Sequence, residues 1–134
     1  MAAEPIEVVR AQFDATNARD FARAMEMYAE DVVLVVSESW GLGSGRFEGK
    51  EAVGEWFGDW FAQFADDYHF EFLETRDLGR GWVLLVAEHG GSGRTSGAPI
   101  GAESGYLYRV SDGKIDRVHL YPSPAEAREA AQNG

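Results

Sequence analysis

Asp112-Gly113-Lys114-Ile115-Asp116-Arg117-Val118-His119-Leu120-Tyr121-Pro122-Ser123-Pro124-Ala125-Glu126 reads as a tight turn, a strand and a capped helix in succession. Asp-Gly between alternating apolar runs marks a two-residue hairpin, because a primed turn needs the positive φ that glycine adopts at low cost. Ser123 followed three residues later by Glu126 is a capping box, and Pro124 stands where a first helical turn accepts proline. A hairpin strand leading straight into a helix places the end of the chain on a sheet, and the other elements can be ordered from there.

Working back, Tyr106 to Val110 is the hairpin's first strand and Ile115 to Tyr121 its second. Residues 90–105, rich in glycine and small polar side chains, are expected to form a long loop or irregular hairpin. Trp82 to Glu88 is a further strand, Arg76 to Gly81 a turn region, and Phe70 and Phe72 flank Glu71 in another strand. Near the start, Ile6, Val9 and Phe13 recur at helical spacing after Pro5, predicting a helix over about residues 5–18. Asp20 can cap a second helix carrying Phe21, Ala24, Met25 and Tyr28. Val32 to Val36 is β-branched and apolar, as a buried strand requires. Gly41, Gly43 and Gly45 punctuate a loop, and Arg46 to Gly49 makes a short extended piece. From Lys50 a third helix crowds Val53, Trp56, Phe57, Trp60, Phe61 and Phe64 onto one face. So wide an aromatic stripe needs a concave partner, which a curved sheet provides.

The 134 residues, 45% hydrophobic and 13% aromatic, suit one domain over 1–134 with a core of its own. Without cysteine there is no disulfide, thiol catalysis or thiolate-bound metal. A net charge of −11 disfavours nucleic acid and anionic membrane as partners. No stretch approaches the roughly 20 apolar residues of a membrane span, and the N-terminus lacks the basic flank of a signal peptide, so a cytoplasmic protein is expected. The three histidines are far apart and form no helical pair, so neither metal nor cofactor is expected. Gly41-Leu42-Gly43 opens no helix of a dinucleotide fold, and His89-Gly90-Gly91 has no nucleophile elbow with it.

The order of elements, together with Asn17-Ala18-Arg19-Asp20, Tyr28-Ala29-Glu30-Asp31-Val32, Gly45 to Val53 and the Asp112 hairpin, resembles the nuclear transport factor 2-like superfamily, most closely its SnoaL-like and ketosteroid isomerase-like branch. The resemblance covers nearly the whole chain. It implies an α+β cone: a strongly curved antiparallel sheet wrapped around three helices of the N-terminal half, an internal pocket, and a short C-terminal helix. It also implies a homodimer through the outer sheet face. Because the fold hosts isomerases, cyclases, dehydratases and binding modules, function rests on the site.

Ketosteroid isomerase uses an aspartate base with a tyrosine and a protonated aspartate as oxyanion donors. An ungapped overlay puts the base position on Val36, the second acid on Tyr106, and the oxyanion tyrosine near Gln12 or Phe13. Valine takes no proton, so that chemistry with its standard residues is not expected. If Val36 faces the hollow, strand alternation carries Glu38 and Trp40 there too, and Glu38 becomes the candidate base. Tyr106 and Tyr108 share a face and can donate to an oxyanion. Trp40, Trp56 and Trp60 would hold an apolar body, within a lining of Phe13, Tyr28, Val36, Val118 and Leu120. Glu88 and His89 are adjacent and point to opposite faces, so only one of them can reach the hollow, and the sequence leaves open which; Glu88 is carried as a candidate ligand-binding residue. His119 falls on the outer face and His69 on the surface. Two functions fit: an enzyme moving a proton α to the carbonyl of a small apolar substrate, or a non-catalytic module binding an apolar ligand or a partner protein.

Overall fold

The computed structural model describes residues 4–41, 43–63, 68–92 and 99–133. Helices α1 (Pro5–Asn17) and α2 (Phe21–Glu26) precede strand β1 (Tyr28–Val36), a 3-10 turn (Glu38–Trp40) and β2 (Gly45–Glu48). Helix α3 (Lys50–Phe61), β3 (His69–Gly79), β4 (Trp82–Ser92), β5 (Pro99–Ser111), β6 (Lys114–Tyr121) and α4 (Pro124–Asn133) follow. The strands form one sheet in the order β2-β1-β6-β5-β4-β3. Phe64, expected to extend the aromatic stripe of α3, lies outside the described residues.

The hairpin that anchors the sequence reading forms as expected. Asp112 and Gly113 both take positive φ, 53° and 77°, and Ser111 pairs with Lys114 across them. Two such residues make the primed turn whose twist matches the flanking strands. Ser123 accepts a hydrogen bond from the Glu126 backbone N–H at 3.3 Å, and Asp20 caps α2 by accepting from the Arg23 N–H at 3.1 Å.

Two expectations need correction, and one alternative is decided. The sheet is mixed, because β1 and β6 run parallel, Leu34 beside Val118 and Val36 beside Leu120. Returning to β1 at the end of the chain reverses no direction: the intervening elements act as one long crossover. Of the loop or irregular hairpin expected over residues 90–105, the hairpin forms: residues 90–92 and 99–105 are strand, with Gly90 paired to Gly101 and Ala87 to Ser104. Glycine lowers strand propensity, yet the pairing of β4 with β5 supplies the ladder, and context prevails. The turn after β3 is confined to Arg80 and Gly81, since β3 extends to Gly79.

Register shifts between Phe72 and Glu74, Asp77 and Gly79, and Arg109 and Val110 break the ladders. Such bulges bend and twist a sheet, and here they curve it around α1, α2 and α3. Val83, Leu85 and Ala87 of β4 join Phe13, Val9, Val32 and Val53 on the helix side. Leu84 and Leu107 point the other way, where Ala127 of α4 covers them beside Trp82 and Tyr121. Strand β4 is therefore buried on both faces from Val83 to Ala87, which explains its unbroken apolar run.

Candidate functional site

Between the helices and the concave face lies a cavity of about 690 Å³. Its helix-side wall is aromatic. Trp56 and Trp60, one turn apart on α3, stack at 5.8 Å with their planes 8° apart, and Trp40 leans on Trp60 at 5.1 Å. Trp56 Nε1 donates to the Gly43 carbonyl at 2.9 Å, which fixes that ring against the loop. Phe13 sits at the centre, edge-on to Phe70 at 5.1 Å and to Tyr108 at 5.8 Å.

The opposite wall carries a connected set of polar groups. His89 is buried and stands opposite Ala102, so on the same face it lies diagonal to Ser104. Trp60 Nε1 donates to the Tyr68 hydroxyl at 3.1 Å, and that hydroxyl bonds to His89 Nδ1. His89 Nε2 meets Ser104 Oγ and, at 2.8 Å, the Tyr106 hydroxyl; Ser104 Oγ in turn donates to that hydroxyl at 2.6 Å.

The tautomer of His89 sets the roles of these groups. With the proton on Nε2, that N–H is shared between Ser104 and Tyr106, Ser104 donates to Tyr106, and Nδ1 accepts from Tyr68. With the proton on Nδ1, Nε2 instead accepts from Tyr106 while Ser104 donates to the Tyr106 oxygen. The Nε2–H form leaves the Tyr106 O–H over as a donor. Burial pushes the His89 pKa down to about 4, so the ring is neutral at pH 7. Burial likewise raises Tyr28, Tyr68, Tyr106 and Tyr108, which all stay protonated phenols.

Phe13, Tyr28, Trp40, Trp56, Trp60, Tyr106, Tyr108 and Leu120 line the cavity as expected of them. Four expectations fail. Strand β1 ends at Val36, so alternation stops there, and Glu38 is exposed on the 3-10 turn outside the lining. Glu88 is exposed on the outer face, and His89 takes the inner one. Val36 and Val118 are buried in the core but do not line the cavity. Sequence reasoning missed Tyr68 and Ser104. Ser104 could have been found by extending the Tyr106–Tyr108 alternation two residues back into the glycine-rich segment.

Among the described lining residues there is no carboxylate, and Arg19 is the permanently charged one; its guanidinium donates to the Tyr68 carbonyl at 3.2 Å. No described group of three or more His, Asp or Glu side chains is placed to hold a metal ion. No described helix is long and apolar enough to cross a membrane.

Comparison with solved structures places the chain among proteins of the same fold. A protein from Sinorhizobium meliloti described as a polyketide cyclase shares 27% identity over 85% of this chain and 93% of its own, with a TM-score of 0.66. A protein from Jannaschia sp. CCS1 described as a SnoaL-like polyketide cyclase is 15% identical, covers 97% of this chain and 92% of its own, and gives 0.77. TerC, co-crystallised with polyporic acid, is 16% identical over 97% and 99%, at 0.76. No curated protein matches. The SnoaL-like domain pattern matches residues 9–118, most of the chain and every element from α1 to β6, and the chain belongs to that family.

Proposed function

We propose that the cavity takes a small, largely apolar molecule bearing a carbonyl group, and that Tyr106 donates a hydrogen bond to its oxygen. The observation that carries this reading is the Tyr106 hydroxyl, set in an aromatic enclosure beside Ser104 and His89; with the imidazole protonated at Nε2 its O–H is free to donate. A neutral donor held in a low-dielectric site stabilises an oxyanion or enolate as it forms, which is the requirement of proton-transfer isomerisation and of cyclisation. The polyketide cyclases among the structural relatives support the same chemistry.

A second reading, retention of the ligand without turnover, is favoured by one observation: no carboxylate is among the described lining residues, and the ketosteroid isomerase base position is Val36. Flavone, a planar carbonyl compound, tests the common ground. Its titration should quench the emission of Trp56 and Trp60, and Tyr106→Phe should weaken binding about tenfold, the worth of one hydrogen bond to a buried partner. Equal affinity for both proteins would remove Tyr106 from the site. Loss of α-deuterium from labelled 1-tetralone, faster with protein than without, separates catalysis from retention.

A further inference from the structure

Gln12 of α1 is buried, 7% exposed, and lines the cavity. Its amide orientation follows from its neighbour. Thr16 Oγ1 donates its one hydrogen to the Gln12 carbonyl at 2.9 Å, so toward any other group it can only accept. The Gln12 atom 3.0 Å from Thr16 Oγ1 is therefore the Nε2 amine. Oε1 is turned away from Thr16, buried and without a hydrogen-bond partner. A buried acceptor left bare costs free energy that folding must offset elsewhere, unless a ligand satisfies it. The Tyr28 hydroxyl, on another lining residue, is also buried and unpartnered, but it can donate or accept and so specifies less.

The two groups differ in what they offer a ligand. Tyr106 has a hydrogen to give, whereas Gln12 Oε1 can only receive one. From this unpartnered acceptor on a lining residue we infer that Gln12 is a specificity residue: the preferred ligand carries, besides its carbonyl, an O–H or N–H donated to Gln12 Oε1. This rests on the carbonyl-binding reading above and sharpens it to hydroxylated or amino-substituted carbonyl compounds over bare ketones.

Flavone and its 6-, 7- and 4′-hydroxy derivatives, titrated against the whole protein by tryptophan quenching, test the assignment. At least one hydroxyflavone should bind about tenfold more tightly than flavone. In Gln12→Leu that preference should fall to near unity. Thr16→Val keeps the glutamine but releases its amide to rotate, and it should reduce the preference in the same way, so the test survives if the leucine variant folds poorly. Hydroxyflavones no tighter than flavone, or a preference unchanged in both variants, overturns the role of Gln12 while leaving carbonyl binding intact. Failure of flavone and its derivatives alike to bind overturns both.

Discussion

The Tyr106 hydroxyl lies 2.8 Å from His89 Nε2, and Ser104 touches both groups. This triangle decides which way the phenol points its hydrogen. While Ser104 donates to the Tyr106 oxygen and Nε2–H fills the remaining direction, the Tyr106 hydrogen turns to the cavity. Without Ser104 the imidazole can carry its proton on Nδ1 and accept from Tyr106 at Nε2, and the donor would turn inward.

Ser104→Ala should therefore lower flavone affinity about fivefold with Tyr106 still present. Loss of a buried hydrogen-bonding hydroxyl should also reduce stability by about 1 kcal/mol. Titration alongside urea unfolding checks both. An affinity equal to wild type would mean that Ser104 does not orient the donor.

His89 predicts an acid-side loss of stability. Its pKa falls from an ordinary 6.5 to about 4 on folding, because burial disfavours the imidazolium. Between those values the unfolded chain binds a proton that the folded chain refuses, so stability falls as pH drops through that window and is insensitive to this group above it. The span corresponds to roughly 3 kcal/mol. Unfolding free energies at pH 7 and pH 4.5 should differ by less in His89→Gln than in wild type. The carboxylates, common to both proteins, cancel in the comparison. Equal pH dependence would contradict the buried neutral imidazole.

Much of the fold could be read from local chemistry. The Asp112-Gly113 turn, the Ser123 and Asp20 caps and the aromatic face of α3 are each set by residues within a few positions of one another. Long-range pairing overrode local cues elsewhere: β5 forms through Gly101 because β4 holds it and through Gly105 where β6 joins, and β1 joins β6 in parallel, which no neighbouring residue signals. The site divides the same way. Its rings were legible from spacing, but its polar wall depends on which of Glu88 and His89 faces inward and on where β1 stops. Two residues beyond Val36 the alternation no longer holds, and Glu38 lies in solvent.

Glu126 links the C-terminal helix to the 3-10 turn beside the cavity. Ser39 Oγ donates to its Oε1 at 2.6 Å and Ser123 Oγ to its Oε2 at 3.1 Å. One carboxylate thereby ties α4 to the 3-10 turn that carries Trp40. Glu126→Ala should free that turn, shift tryptophan emission to the red and weaken flavone about threefold; Glu126→Gln, which keeps one acceptor oxygen, should fall between. A wild-type affinity and spectrum in the alanine variant would show that Trp40 is held by its ring contacts alone.

Gly105 sets how closely α4 approaches the sheet. A Cβ there would overlap the Ala127 side chain and stand 3.3 Å from Pro124 Cα, so even alanine must push the helix outward. Ala127 is fully buried against Leu84 and Leu107, and the displacement would open that contact. Gly105→Ala should destabilise by about 1–3 kcal/mol in urea unfolding, the usual cost of overpacking. Because the clash is with a single methyl group, the same substitution should cost markedly less in an Ala127→Gly background, although Ala127→Gly alone carries its own helix penalty of about 1 kcal/mol. Strictly additive effects would place the strain in the β5 backbone instead of at the helix contact.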